Sequence, residues 1–262
     1  NTSYQDYTSW TFRKAKKFFD VVTYTGNSVT TAISHDLGST PGMILVKRTD
    51  TAAAWTVYHR SNTAAPETDY LVLNTTAATA DYNGMWGDTA PTDTHFTVGN
   101  ALETNASPGT YIAYLFAHNN SDGEFGPDSD QDIIKCGSYE GNDSNTTEIN
   151  INLGFEPQWL LIKNADLARS WTIVDVMRGL TYGPAGSGAG TTDRALSPNL
   201  TASEETASSS SVVTRVDPTP TGFAIRGKSG ICNEFGTHIY MAIRRGPLAP
   251  PEAGTEVFKV SA

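Results

Sequence analysis

The sequence is short of basic residues and of long apolar runs, and each shortage excludes a class of protein. Its 262 residues hold 18 Lys and Arg against 28 Asp and Glu, which gives a formal net charge of −10. Such a surface repels phosphate backbones, so we expect no nucleic-acid binding. No apolar run approaches the roughly 20 residues that a membrane-spanning helix needs, so we expect no membrane insertion.

Cysteine is also scarce, which excludes a disulfide framework as the basis of the fold. The chain has two cysteines, Cys136 and Cys232. One bridge between them and two unlinked, buried thiols are both compatible with the sequence.

Motifs that carry catalysis or hold metals are missing as well. No metal-ligand spacing occurs among the five histidines, which are His35, His59, His95, His118 and His238. The sequence has no Gly-x-Ser-x-Gly nucleophile elbow. The acidic stretch at residues 122–132 does not match a calcium-binding EF-hand loop. We therefore expect no metal, no cofactor and no enzymatic activity.

An internal repeat organises what is present. Residues 37–47 return as residues 153–163, with the initial Leu-Gly, a Pro, a central Leu and a Lys identical. Trp55 and Trp171 lie at the same offset, which favours a core role for both. A repeat of this length predicts two copies of one structural unit.

The second half of the unit also repeats, but with an insertion. Residues 91–96 correspond to residues 218–223 at a larger offset, so the second copy has gained residues between them. The insertion falls in residues 181–211, which are rich in Gly, Ser, Thr and Ala and predict a loop.

The repeated segments predict strands. They alternate in polarity or run apolar over short stretches and are rich in β-branched and aromatic residues. The runs at 43–46 and 159–162 are continuous, as expected of strands that are buried on both faces. The sequence thus predicts an all-β fold of two tandem antiparallel β-sandwich, jelly-roll-like repeats, each enclosing its own core.

The same pattern divides the chain into five segments. Residues 7–14 echo the last strand of a unit, and residues 256–260 echo the first. The predicted segments are the terminal strand of a preceding unit with its connector (1–20), repeat 1 (21–118), a linker (119–131), repeat 2 (132–247), and a connector with the first strand of a following unit (248–262).

One loop offers a candidate ligand site. Trp86 and Tyr82 lie in residues 75–91, flanked by Asp81 and Asp88. In one interpretation Trp86 stacks on a sugar ring while the carboxylates accept its hydroxyls. In the other, Trp86 caps the end of the sandwich, because large aromatic side chains are usually buried. The sequence favours the cap.

Several segments together resemble a known family. They are residues 24–27, 33–42, 46–50, 57–60, 111–118, 157–163 and 239–247. They are similar to the duplicated β-sandwich domain of tail-associated structural proteins in tailed bacteriophages, particularly marine ones. In relatives this domain often follows a concanavalin- or laminin-G-like lectin domain. The resemblance covers nearly the whole chain, implies a location in the virion, and brings no catalytic residue with it.

The resemblance implies three functions, in decreasing order of preference. The first is a tail fibre or receptor-binding component, a homo-oligomer and preferably a trimer, that contacts other virion proteins and a host surface glycan or receptor through its loops. The second is a capsid decoration protein or a subunit of a tube or filament. The third is a glycan-degrading tailspike, which needs two carboxylates held close together. Its candidates are Asp81, Asp88, Asp93, Glu204 and Glu205, and nothing in the sequence brings them together.

Overall fold

The computed structural model describes residues 8–180, 194–202, 204, 216–227 and 231–246. The described chain is all-β, as predicted, with two four-residue helices. The elements of the first half are β1 (Phe19–Thr25), β2 (Thr31–Ser34), β3 (Pro41–Arg48), β4 (Trp55–His59), β5 (Asp69–Val72), β6 (Ala80–Asp81), α1 (Asn83–Trp86), β7 (His95–Val98), α2 (Leu102–Asn105) and β8 (Thr110–Ala117). Those of the second half are β9 (Ile134–Gly141), β10 (Ile149–Asn152), β11 (Pro157–Asn164), β12 (Thr172–Asp175), β13 (Val216–Thr219), β14 (Gly222–Ile225) and β15 (Gly236–Arg244).

Each half has one large and one small antiparallel sheet. The large sheets have the orders β1-β8-β3-β4-β5-β6 and β12-β11-β15-β9. The small sheets have the orders β2-β7 and β10-β14-β13. Because β3 and β11 are the repeated segments, the order β1-β8-β3-β4 in the first half corresponds to β9-β15-β11-β12 in the second. Neither described helix has the length and apolarity of a membrane span.

The repeated Leu-Gly-x-x-Pro motif sets up the central strand of each large sheet. Leu37 and Leu153 are fully buried anchors. Gly38 and Gly154 follow at φ +73° and +78°, the left-handed region that favours glycine. The proline then begins β3 or β11, where a missing backbone N–H is tolerated. The sequence identity between the copies therefore reflects a shared backbone turn.

Strand β11 is buried on both faces, and its two faces contribute to different clusters of buried side chains. Trp159 and Leu161 belong to the larger cluster, whereas Leu160 and Ile162 belong to the smaller one. Successive residues of a strand point to opposite faces of its sheet, so an apolar layer lies on each side of β11. The continuous apolar run in the sequence is the signature of this arrangement.

The expectation that each half encloses a separate core is wrong. The larger cluster joins Ile44 and Val46 of β3 to Trp159 and Leu161 of β11, and so spans both halves. The smaller cluster lies within the second half. The physical reason is that both faces of each large sheet are apolar, and an apolar face left in water costs free energy unless another covers it.

Hydrogen bonds between the halves accompany this packing. Trp171 donates its Nε1–H to the backbone carbonyl of Val72 at 2.9 Å. His59 lies 3.0 Å from the backbone carbonyl of Tyr240 through its Nε2. Its Nδ1 accepts a hydrogen bond from the backbone N–H of Ser61, so the proton of the neutral ring resides on Nε2 and is donated to Tyr240.

The repeated lysines support loops in both halves. Lys47 donates to the carbonyl of Ala53. Lys163 is fully buried and donates to the carbonyls of Asn164 at 2.6 Å and Leu167 at 3.0 Å. Burial lowers the pKa of Lys163 to about 8. An ammonium in each half therefore satisfies carbonyls of the loop after the central strand.

Two expectations are wrong, and two further segments lie largely or wholly outside the described residues. The strand predicted over residues 7–14 is absent from residues 8–14, which lie in no strand and instead pack Trp10 and Phe12 against the larger cluster. Trp171 is in the core as predicted, but Trp55 is only half-buried and lies outside both clusters, stacked on Tyr114. Most of the predicted 181–211 loop, and all of 248–262, lie outside the described residues.

The structure also decides between the two alternatives for the cysteines. Cys136 and Cys232 are unlinked, and both are buried. Burial raises the pKa of Cys136 to about 12. We therefore predict that native protein does not react with a thiol reagent at pH 8, whereas protein unfolded in guanidinium reacts at both cysteines. Mass spectrometry of the labelled chain reads out both states, and rapid native labelling would contradict the burial.

The buried His59 predicts a loss of stability in acid. Burial lowers its pKa from 6.5 to about 4, so between these values the unfolded chain binds a proton that the folded chain does not. The free energy of unfolding should therefore fall as the pH drops from about 6.5 to about 4. Urea titrations across this range measure it. His59→Gln should flatten the slope, and the exposed His95→Gln is the matched control; equal slopes in both variants would contradict the assignment.

Candidate functional site

Trp86, the centre of the predicted loop site, is buried in the core. Trp86 is the last residue of α1, and only 2% of its surface is exposed to solvent. Its Nε1–H donates to the backbone carbonyl of Asp69 at 3.1 Å, and its ring meets Tyr58 edge-on at 6.0 Å. A ring in this position has no free face for a sugar. The stacking role of Trp86 is therefore wrong, and its burial fits the capping interpretation.

The other three predicted residues lie at the surface of the same loop. Asp81 is exposed in β6, where it pairs with Asp69 of β5. Tyr82 is 46% exposed and packs beside Gly84, and Asp88 is exposed with φ +48°. Trp86, the aromatic side chain that the predicted site placed beside them, is buried in the core. Ligand binding by Asp81, Tyr82 and Asp88 stays a prediction.

A different site lies where the N-terminal segment meets the large sheet of the second half. Here a surface cavity of about 300 Å³ is lined mainly by aromatic and aliphatic side chains, and we call it the aromatic cleft. Its walls come from residues 9–12, β11, the end of β15 and residues 175–177. Its lining residues are Ser9, Trp10, Thr11, Phe12, Phe18, Gln158, Trp159, Asp175, Val176, Met177 and Ile243.

Aromatic rings in edge-to-face contact shape the cleft. Trp10 and Trp159 have ring centroids 6.5 Å apart with planes at 72°. Phe12 meets Trp159 at 6.2 Å and 83°. Such T-shaped pairs are favourable and hold the rings in fixed orientations. The cleft is thus a preformed apolar surface, although Trp10 lies in a segment without strand structure.

Polar groups are fixed at one side of the cleft. Trp10 donates its Nε1–H to Oδ2 of Asp175 at 3.3 Å, and Arg178 donates to the same oxygen from Nε at 2.7 Å. The guanidinium of Arg178 also lies 5.2 Å from the centre of the Trp10 ring, a cation–π contact. These three side chains hold one another in place. Asp175 is thereby engaged as an acceptor, and its side-chain hydrogen bonds to described residues come from Trp10 and Arg178.

Trp159 contributes an unsatisfied donor. The residue is 8% exposed, and among the described residues its Nε1–H has no hydrogen-bond partner. A buried N–H without a partner costs about 1–3 kcal/mol. The nitrogen is itself inaccessible to solvent, so a ligand in the cleft does not reach it without a rearrangement. The combination of apolar rings with a few polar groups is typical of small-ligand sites.

The repeat shows how the wall of the cleft differs from the equivalent place in the other central strand. Both central strands have a register shift next to their proline, at Gly42 in β3 and at Gln158 in β11. A Cβ at Gly42 would come within 2.8 Å of Cys136, so the two halves are in direct contact there. At the equivalent position Gln158 is exposed and lines the cleft. Bulges often redirect a side chain in this way at functional sites.

The histidines have structural roles. His59 joins the halves, and His238 is held by Gly236 and Asn164. His118 accepts the backbone N–H of Cys136, and burial lowers its pKa to about 4. Within the part of the chain that the structure describes, no three His, Cys, Asp or Glu side chains group together in a way that could hold a metal ion.

The sequence patterns predicted no site at the cleft, although the repeat differs at residues that line it. Comparison of the repeats places Gly42 opposite Gln158 and Met43 opposite Trp159. The large polar Gln158 in place of Gly42 marks where the packing of the two copies differs, whereas Met43 and Trp159 are both buried in the larger cluster. Trp10 and Asp175, by contrast, are 165 positions apart, and no sequence pattern connects them.

The burial of Trp86 gives a direct test of its structural role. We predict that Trp86→Ala lowers the free energy of unfolding by about 3–5 kcal/mol, because it leaves a cavity and an unpaired carbonyl. Asp88→Asn, an exposed change in the same loop, should stay within about 0.5 kcal/mol of the parent. Denaturant titrations measure both. Unchanged stability of Trp86→Ala would mean that the ring is not part of the core.

Comparison with known proteins identifies a family for nearly the whole chain. No curated protein and no solved structure shows significant similarity to it. A family model described as a domain of unknown function, DUF7483, matches residues 6–247. That match takes in both halves, the cleft and the predicted loop site. The chain therefore belongs to the DUF7483 domain family.

Proposed function

We propose that this chain is a non-enzymatic structural protein of a tailed-bacteriophage virion, a tail-fibre or receptor-binding component that contacts glycans of the host surface. The observation that carries the binding part of the proposal is the aromatic cleft, with its fixed rings and the exposed amide of Gln158 at its wall. The virion part is supported by the resemblance of the repeated segments to phage tail proteins.

The chemistry of the cleft matches a sugar ring. A pyranose has an apolar face of C–H groups, which packs on aromatic rings, and hydroxyls, which donate to carboxylates and accept from N–H groups. Trp10 and Phe12, which are half-buried, supply the rings, and the exposed amide of Gln158 supplies a polar partner. A cavity of about 300 Å³ is at the lower end of the range for small-molecule sites and suits a single ring.

A second candidate function, a capsid decoration or filament subunit, is favoured by the sheet edges. Within the described residues, β1 and β9 are edge strands of seven and eight residues in the two large sheets. Edge strands of this length can accept a strand from another copy. Oligomerisation, with a trimer preferred, is part of the first proposal as well. Particle location and copy number separate the two.

Location in the particle tests the virion part of the proposal. Immunogold labelling of purified phage with an antibody against this chain should mark the tail or its tip. Quantitative mass spectrometry should give a copy number that is a small multiple of three. Labels spread over the head, at a copy number that follows the capsid lattice, would contradict the tail proposal and support the second candidate.

Ligand titration tests the cleft. Host envelope polysaccharide should quench tryptophan fluorescence of the protein and show saturable binding by calorimetry. Gln158→Ala should weaken binding about 2–10-fold, the effect of one lost hydrogen bond, and Trp10→Ala should weaken it more. Tyr82→Ala is the matched control in the other predicted site. If Tyr82→Ala abolishes binding while the cleft variants bind normally, the loop and not the cleft is the site.

A further inference from the structure

A second cavity adjoins the aromatic cleft, and three of its lining residues are charged. Its volume is about 530 Å³, and its walls include Glu156, Arg244 and Arg245, so we call it the arginine groove. Gln158 lines both cavities. In the strand pairing Ile243, which lines the cleft, lies opposite Trp159, and Arg244 lies opposite Pro157. One ligand extending past Gln158 would therefore contact both.

The guanidinium groups of the groove are available to an anion. Arg244 donates from Nη1 to the backbone carbonyl of Asp132 at 3.3 Å and forms no ion pair with any described residue. Arg245 pairs with Glu156 at 3.2 Å, with side chains 60% and 39% exposed. Such an exposed pair is worth little, so a ligand carboxylate can replace Glu156 at small cost.

We propose that the arginine groove binds the carboxylate of an acidic sugar whose own ring, or whose neighbour, occupies the aromatic cleft. This inference rests on the proposed glycan-binding function and names its ligand class, a glycan that contains uronic acid. Guanidinium and carboxylate form paired, charge-assisted hydrogen bonds, which are stronger than those between neutral groups. Arg244 supplies the guanidinium, and the neighbouring aromatic cleft supplies the apolar surface.

The negative charge of the whole chain does not oppose this assignment. The formal net charge is −10, but charges in physiological salt are screened beyond about 8 Å. The charged residues that line the groove are two arginines and one glutamate, and nearby Asp132 is paired with Lys135. The local balance is positive, and the distant acidic surface acts mainly on the rate of approach.

The test compares sugars that differ only in charge. An oligogalacturonate should bind the full chain at least about tenfold more tightly than its neutral methyl ester of equal length, as expected for a charge-assisted hydrogen bond. Arg244→Gln should remove this preference and leave the affinity for the neutral oligomer unchanged. Arg169→Gln, which removes an arginine paired with Glu234 outside both cavities, is the matched control and should keep the preference.

The remaining outcomes separate this inference from the proposal on which it rests. Equal binding of the acidic and neutral oligomers would overturn the carboxylate site and keep the sugar cleft. Tighter binding of a sulfated galactan oligomer than of the oligogalacturonate would assign the groove to sulfate esters and overturn the carboxylate. Binding of none of the three would overturn the sugar cleft together with the inference. Loss of the preference in Arg169→Gln would show that net charge, and not the groove, produces it.

Discussion

The packing of the two large sheets against each other determines most of what this chain can do. Each large sheet has an apolar layer on both faces, and the shared layer joins β3 to β11 in one cluster. Burial of that layer removes apolar surface that either half alone would expose to water. The halves are therefore parts of one folded body, and residues such as His59 and Cys136 are buried by the contact between them.

The same contact accounts for the position of the aromatic cleft. Where the halves meet closely, Gly42 leaves room for Cys136, which a Cβ at that position would approach within 2.8 Å. At the equivalent place in the second half, Gln158 and Trp159 replace Gly42 and Met43, and the segment with Trp10 and Phe12 lies beside them. Gly42 thus packs against the other half, whereas its counterpart Gln158 is exposed at the wall of the cleft. The two copies differ at residues that line the cleft.

The local features of the fold follow from the sequence, and the contacts between halves do not. The Leu-Gly-x-x-Pro motif predicts two equivalent strands because a buried leucine, a left-handed glycine and a strand-starting proline are local requirements. The continuous runs predict burial on both faces. They do not say what covers the second face, and the expectation of separate cores failed for that reason.

The candidate site also depends on contacts between distant parts of the chain, which the sequence does not reveal. Trp86 is conspicuous in a loop, yet its burial depends on Tyr58 and Asp69, which are distant in sequence. The hydrogen bond between Trp10 and Asp175 joins opposite parts of the chain, so it appears only in three dimensions. Comparison of the repeats at Gly42 and Gln158 could have indicated the region, but not the cavity.

Hydrogen exchange at the two central strands tests the shared core most directly. If β3 and β11 belong to one cooperative body, their slowest amides should exchange through the same global unfolding, with equal free energies that fall together in urea. The measurement needs peptide- or residue-level resolution in 43–46 and 159–162, the equivalent runs of the two strands. A free energy of opening for β3 that is clearly lower than that for β11, with a separate urea dependence, would show two independent cores and contradict the account.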